Sequence, residues 1–168
     1  MTVLTTSRLT LRRLSEDDAS FIFRLVNEPS WLRFIGDKGV RTLDDARRYL
    51  REGPLAMYAQ YGFGLYLVTR KDDGAPIGMS GLIKRDALPD VDIGFAYVPE
   101  SWGNGYAVEA AHAVVAHARD AFGLKRLVAI TSLDNNASIR VLERIGMVFE
   151  RIIEVRPGDP VRLFARAL

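Results

Sequence analysis

The 168-residue chain contains no cysteine. That absence excludes disulfides, thiolate metal sites and a covalent cysteine intermediate, and it fits an intracellular protein. Histidine is scarce as well. His112 and His117 are five positions apart, do not share a helical face and read as ordinary helix residues, so no metal is expected. An excess of one charge is also missing: 23 Lys and Arg against 21 Asp and Glu leave a net charge of +2. Long-range attraction therefore gives no reason to expect a nucleic acid or an anionic membrane as partner. No window approaches the roughly 18 uncharged apolar residues of a membrane span, and "MTVLTTSRLTLRRLSEDD" has no apolar core of signal-peptide length. The expectation is a soluble cytoplasmic protein.

What is present is a hydrophobic content of 48%, enough for a core in one domain covering residues 1–168. "SRLTLRRL" alternates Leu9 and Leu11 with polar neighbours and reads as a first strand. Ser15 and Asp18 form a capping-box pair ahead of a helical stripe, Ala19, Ile22, Phe23 and Val26, which Pro29 is expected to stop. Thr42 and Asp45 repeat the signal for a second helix, with a stop expected at Gly53 and Pro54. Strands follow over residues 63–70, 77–85 and 91–98, joined by connections short enough to imply antiparallel neighbours. Residues 105–122 carry a helical stripe ended by Gly123; "RLVAITS" reads as a buried strand, "NNASIRVLERIG" as a helix and the remainder as two strands around "RPGDP". The order β-α-α-β-β-β-α-β-α-β-β describes an α+β domain, and its one strand-helix-strand unit suited to parallel pairing places "WGNGYA" at the carboxyl edge of a sheet.

That turn holds two glycines at a helix entrance, where glycine is entropically unfavourable. A helix start offers unpaired N–H groups and a partial positive charge, and glycine lets a phosphate approach that backbone without meeting a Cβ atom. A P-loop would need GxxxxGK followed by Ser or Thr, and residues 99–124 contain no lysine. A dinucleotide fingerprint would place its third small residue at Val108, and "PESW" separates the strand from Gly103. A ligand-free turn is the alternative reading.

"WGNGYA" followed by "VEA" resembles the acetyl-CoA loop of the GNAT superfamily of N-acetyltransferases, Q/R-x-x-G-x-G/A. Trp102 in place of Gln or Arg is similar to the RimJ/RimL-like branch, which acetylates ribosomal-protein N-termini. "TSRLTLRRLSEDDA", "NEP", "DIGFAYVPESWGNGYAVEA" and "NNASIRVLERIGMVFE" extend the resemblance over almost the full length, in family order. It implies a three-layer α+β fold with a mixed, mostly antiparallel sheet of about seven strands and about four helices.

The resemblance further implies acetyl-CoA as cosubstrate and a primary amine as acceptor, either a small molecule or a protein N-terminus. Trp102, Gly103, Asn104, Gly105, Tyr106 and Ala107 would form the pyrophosphate loop, with Ala96, Tyr97 and Val98 at the pantetheine edge. Asn135 would cap the last helix, a role Asn136 could also fill, and bind the CoA arm. Deprotonating an alkyl amine at neutral pH costs about 4 to 5 kcal/mol unless a base assists. Asp92 is the candidate base, its alternative being a solvated strand-end aspartate. The leaving thiolate needs a donor. The tyrosine that many relatives carry is here Leu142, and the branch resemblance assigns the role to Ser138, otherwise a small first-turn helix residue. Glu109 reads as structural. Trp31 and Phe34 either line the acceptor cleft or pack in the core. A catalytically silent CoA-binding module and a nucleotide-binding interaction domain are the competing classes. Assembly is expected to be monomeric or homodimeric.

Overall fold

The computed structural model describes residues 1–168. The chain runs β1 (Thr2–Thr5), β2 (Leu9–Arg13), α1 (Ala19–Val26), α2 (Pro29–Phe34), α3 (Leu43–Leu50), α4 (Ala56–Tyr61), β3 (Leu65–Arg70), β4 (Pro76–Ile83) and β5 (Asp92–Tyr97). It continues through α5 (Tyr106–Phe122), β6 (Arg126–Ser132), α6 (Asn136–Arg144), β7 (Val148–Arg156) and β8 (Asp159–Ala167).

Both expected capping signals form. The Ser15 hydroxyl accepts from the Asp17 N–H while the Asp18 carboxylate accepts from the Ser15 N–H, and Thr42 Oγ1 accepts from the Asp45 N–H at 3.0 Å. The first helix ends at Val26, before Pro29 as expected, but Pro29 opens an unexpected further helix, and the stop expected at Gly53 and Pro54 fails. Pro29 occupies the first turn of α2, where its missing N–H has no helical partner to lose and its φ is preset. At Gly53 and Pro54 the chain widens into a π-helical turn, Arg51–Leu55. The wider turn relieves the clash between the proline ring and the carbonyl one turn back, so the helix resumes as α4 and ends only at Gly62, φ 80°.

The strands form one eight-stranded sheet in the order β1-β2-β3-β4-β5-β6-β8-β7. The strand beyond the seven expected is β1, four residues too short to show a period, which pairs with β2 as a hairpin. Every neighbouring pair is antiparallel except β5 and β6, which α5 connects as a parallel crossover.

Alternation along the strands sends side chains into two cores. Tyr66, Val68, Ile93 and Tyr97 face α5, whose Ala110, Ala111, Val114 and Ala118 are small enough to seat the helix directly on the sheet. Leu67, Met79 and Val98 face the other way, against Ile22, Leu25, Ala46 and Leu50 from α1 and α3. Asp92 alternates with Ile93 and so belongs to this second face.

α6 is anchored by a single buried side chain, Leu142, 1% exposed in the α5-side core. Leu142→Ala is expected to lower stability by about 2 to 5 kcal/mol, read from chemical denaturation, because truncation opens a cavity in the α5-side core.

Candidate active site

The central feature is a fork between β5 and β6. Their ladder contains one register pair, Asp92 with Val128, and the Val128 N–H donates to the Val91 carbonyl at 3.1 Å. Past that point β5 stays with β4 through Tyr97, and β6 stays with β8 through Ser132. The inner edges therefore separate. The Val98 N–H donates to the Ile77 carbonyl at 2.9 Å, away from the fork. Peptide direction alternates along a strand, so the N–H groups that face the fork belong to Phe95 and Tyr97, while those of Ala96 and Val98 face β4. On the opposite bank, Thr131 Oγ1 and Ser132 Oγ are buried without a hydrogen-bond partner.

At the open end of the fork the chain turns from β5 into α5. Gly103 and Gly105 both take φ 80°, a left-handed backbone that side chains with a Cβ adopt at a cost. None of the backbone N–H groups from Gly103 through Val108 donates to a protein acceptor, and the first helical bond runs from the Glu109 N–H to the Gly105 carbonyl at 3.1 Å. Side chains hold the turn open: the Trp102 indole N–H donates to the Tyr97 carbonyl at 2.9 Å, and Asn104 Nδ2 donates to the Ser101 carbonyl at 3.0 Å. The Trp102 ring is itself 54% exposed, so this bond, and not burial, fixes its position. A Cβ at Gly103 would meet nothing within 4 Å, and one at Gly105 would meet only Arg8 Nη2, at 3.5 Å. This is a cradle of outward-pointing donors at the positive end of a 17-residue helix.

Glu109, read as structural, is the brace of that cradle. Its carboxylate accepts from the Thr6 hydroxyl, the Arg8 N–H and Arg8 Nε, and the Arg8 guanidinium lies 4.5 Å from the centre of the Tyr106 ring. Burial pushes the carboxyl upward, but the hydrogen bonds from Thr6 and Arg8 outweigh it and hold the group below its ordinary value. A hollow of about 290 Å³ beside Tyr106 is lined by Arg8, Arg70 and Lys71.

At the closed end of the fork, Asp92 is 1% exposed. Arg85 Nε donates to its Oδ2 at 3.1 Å, and Oδ1 is buried without a partner. Burial raises the carboxyl above its ordinary value, opposed by the charge and hydrogen bond of Arg85. The solvated strand-end alternative for Asp92 is therefore excluded. Ser138 lies elsewhere. Asn135, the N-cap of α6, accepts from the Ser138 N–H at 3.3 Å, so the cap is Asn135 and not Asn136. α6 begins past the carboxyl end of β6, so Ser138 and Asp92 come from different elements bordering the fork.

His117 is half-buried, with Nε2 3.2 Å from the Tyr66 hydroxyl and its ring edge-on to Phe122; burial lowers its pKa. Trp31 packs in the α1–α3 core with its indole N–H unpartnered, and Phe34 is half-buried beneath Arg33. No group of three or more histidine or acidic side chains gathers as a metal site. No helix is long and apolar enough to cross a membrane.

The model of the GNAT acetyltransferase domain matches residues 8–148, most of the chain and all of the fork. The chain belongs to the GNAT family of N-acetyltransferases. YoaA of Bacillus subtilis, an uncharacterized N-acetyltransferase, is 30% identical over 155 residues, 90% of this chain and 85% of its own. The crystal structure of an acetyltransferase from Agrobacterium tumefaciens superposes with a TM-score of 0.84 at 26% identity, covering 99% of this chain and 94% of that one. RimL, the ribosomal L7/L12 α-N-protein acetyltransferase solved with coenzyme A, shares the fold with a TM-score of 0.84 at 20% identity, over 100% of this chain and 98% of that chain.

In this GNAT chain, reasoning from sequence missed Thr6, Arg8, Arg85, Thr131 and Ser132. Arg8 and Glu109 both lie in segments that resemble the family, but 101 positions separate them and no spacing rule links the two. The Glu109 brace has a signature in acid. A carboxyl held below its unfolded value contributes stability that is fully present above about 4.5 and lost as pH falls through the lowered native value. The drop in thermal midpoint between neutral and acidic pH is expected to be smaller in Glu109→Gln than in the wild type, in a series of thermal melts.

Proposed function

We propose that this chain binds acetyl-CoA in the β5–β6 fork and transfers the acetyl group directly to a primary amine. The observation that carries the reading is the run of unpartnered N–H groups from Gly103 through Val108, opening onto a fork whose edge donors belong to Phe95 and Tyr97. Those residues fit the coenzyme: left-handed glycines with no Cβ to obstruct a diphosphate, and a strand edge that an amide-bearing arm can join as strand addition.

When bound, acetyl-CoA supplies the activated acetyl thioester. The loop N–H groups of Gly103, Asn104, Gly105, Tyr106 and Ala107 hold the diphosphate, with the Arg8–Glu109 brace keeping α5 in place beneath them. Phe95 and Tyr97 orient the arm and offer an N–H to the developing oxyanion. Asp92, its carboxyl raised by burial and one oxygen free, takes the proton of the acceptor amine through water. The Ser138 hydroxyl donates a hydrogen bond to the departing thiolate, and Asn135 donates its Nδ2 to the arm while its oxygen caps α6. No cysteine is present to carry the acetyl group, which favours direct transfer within a ternary complex. The "WGNGYAVEA" segment supports placement in the RimJ/RimL-like branch, with a protein N-terminus or a small amine as acceptor.

A silent CoA-binding role is the second reading, favoured by Leu142, which is buried in the core and cannot donate to a thiolate. Thiol release from acetyl-CoA across a panel of amines separates the two: release that depends on an amine supports transfer, and none supports the silent role. Gly105→Ala is expected to weaken CoA binding about tenfold in calorimetry, roughly 1.4 kcal/mol, with the fold retained in circular dichroism. Unchanged affinity would remove the loop from the site. In the pH profile of kcat/KM, the acid limb is expected above the ordinary carboxylate range, since activity appears as Asp92 ionises; Asp92→Asn, folded, loses that limb together with most turnover.

A further inference from the structure

Three of the most exposed large apolar side chains stand along one free edge of the sheet. β7 ends the strand order, and Val148, Phe149 and Ile152 on it are 68%, 44% and 53% exposed. Covering such side chains is favourable, and a free edge also leaves backbone donors and acceptors for another strand to meet. The opposite edge is blunted: β1 has four residues and a register shift, whereas β7 has nine and contains neither proline nor lysine.

Peptide direction fixes which groups β7 offers. The Val128 N–H faces the fork, so Leu127, Ala129 and Thr131 bond to β8 through Arg166, Phe164 and Arg162. Val161, Leu163 and Ala165 then turn toward β7, where their partners are Ile153, Arg151 and Val148. The backbone groups of Phe149 and Ile152 are left pointing outward. Between these two the ladder shifts register, with Glu150 as the extra residue beside Arg151. Arg126 Nη2 and Arg151 Nη1 both donate to Glu150 Oε1, at 2.8 and 3.4 Å, so Glu150 Oε2 and Arg151 Nη2 have no partner within the chain.

Counted by rungs of the ladder, the segment is complementary to itself. A two-fold axis through the Glu150–Arg151 rung sets Phe149 against Ile152 of a second copy, and Ile152 against its Phe149, so the outward backbone groups exchange hydrogen bonds. One rung further out Val148 meets Ile153, and at the axis each Arg151 faces the other copy's Glu150. Other registers lose the match: centring on Ile152 sets Glu154 against Phe149, and centring on Glu154 opposes two carboxylates.

We propose that the occupant of this edge is a second copy of the chain, paired antiparallel through β7 about the Glu150–Arg151 rung, so that the sheet continues across a two-fold dimer. None of these residues borders the fork, so the outcome is independent of the acetyl-transfer reading.

Sedimentation velocity over a concentration series is expected to show a dimer with Kd below about 100 μM, which Ile152→Lys, folded by circular dichroism, weakens at least about tenfold. Glu150→Arg and Arg151→Glu each bring like charges together at the axis and are expected to leave monomers. An equimolar mixture of the two is expected to dimerise, since each then faces its opposite. The absence of cysteine gives the register a readout of its own: Phe149→Cys mixed with Ile152→Cys is expected to form a mixed disulfide on oxidation, with little dimer from either alone. A wild type that stays monomeric at about 100 μM overturns the proposal. So does a dimer that persists in Ile152→Lys and in both charge variants, or a mixture of the charge variants that remains monomeric. Should Ile152→Lys fail to fold, the mixed charge variants and the cross-link decide.

Discussion

A single register pair between β5 and β6 is the constraint on which the site depends. Two parallel strands joined only at Asp92 and Val128 must part, because each is held along its whole length by an antiparallel partner on its outer side. The antiparallel ladders of β4–β5 and β6–β8 dictate the two directions, and the twist between them is absorbed at the fork. Backbone donors that an ordinary sheet would consume are left along Phe95 and Tyr97, and hydroxyls of Thr131 and Ser132 are left unpartnered opposite. A ligand that brings its own amides completes the sheet there. The same parting directs the end of β5 into the glycine turn and the start of α5.

Rigid parts surround the fork. α5 rests on alanines and valines packed against Tyr66, Ile93 and Tyr97, so its first turn cannot drift far from the end of β5. Glu109 adds a second hold by gathering Thr6 and Arg8 from the β1–β2 turn, tying the helix start to that edge of the sheet. At the other end, Arg85 neutralises half of a buried carboxylate and leaves one oxygen without a partner. A buried polar atom left unmet is unfavourable for stability and favourable for chemistry, since it keeps the carboxyl raised and ready to take a proton.

Much of this was legible one segment at a time. The capping pairs Ser15–Asp18 and Thr42–Asp45, the alternation of β2 and β5, the stripe of α5 and the two glycines of the turn all express local rules, and each element formed where those rules placed it. The misreadings were local too: the helix that opens at Pro29 went unread, and a stop was expected at Pro54. At Pro29 the proline opens a helix, and at Pro54 a π turn absorbs it. β1 was too short to announce itself.

From sequence alone, the chain determined its elements, the parallel crossover and the glycine turn at the helix entrance, because propensity, periodicity and backbone freedom act over a few residues. Only the tertiary structure decided which peptide N–H groups face the fork, that Asp92 is buried against Arg85 and that Glu109 braces Arg8. Those outcomes depend on register and on contacts between residues up to about a hundred positions apart, where burial and charge, not local preference, set the result.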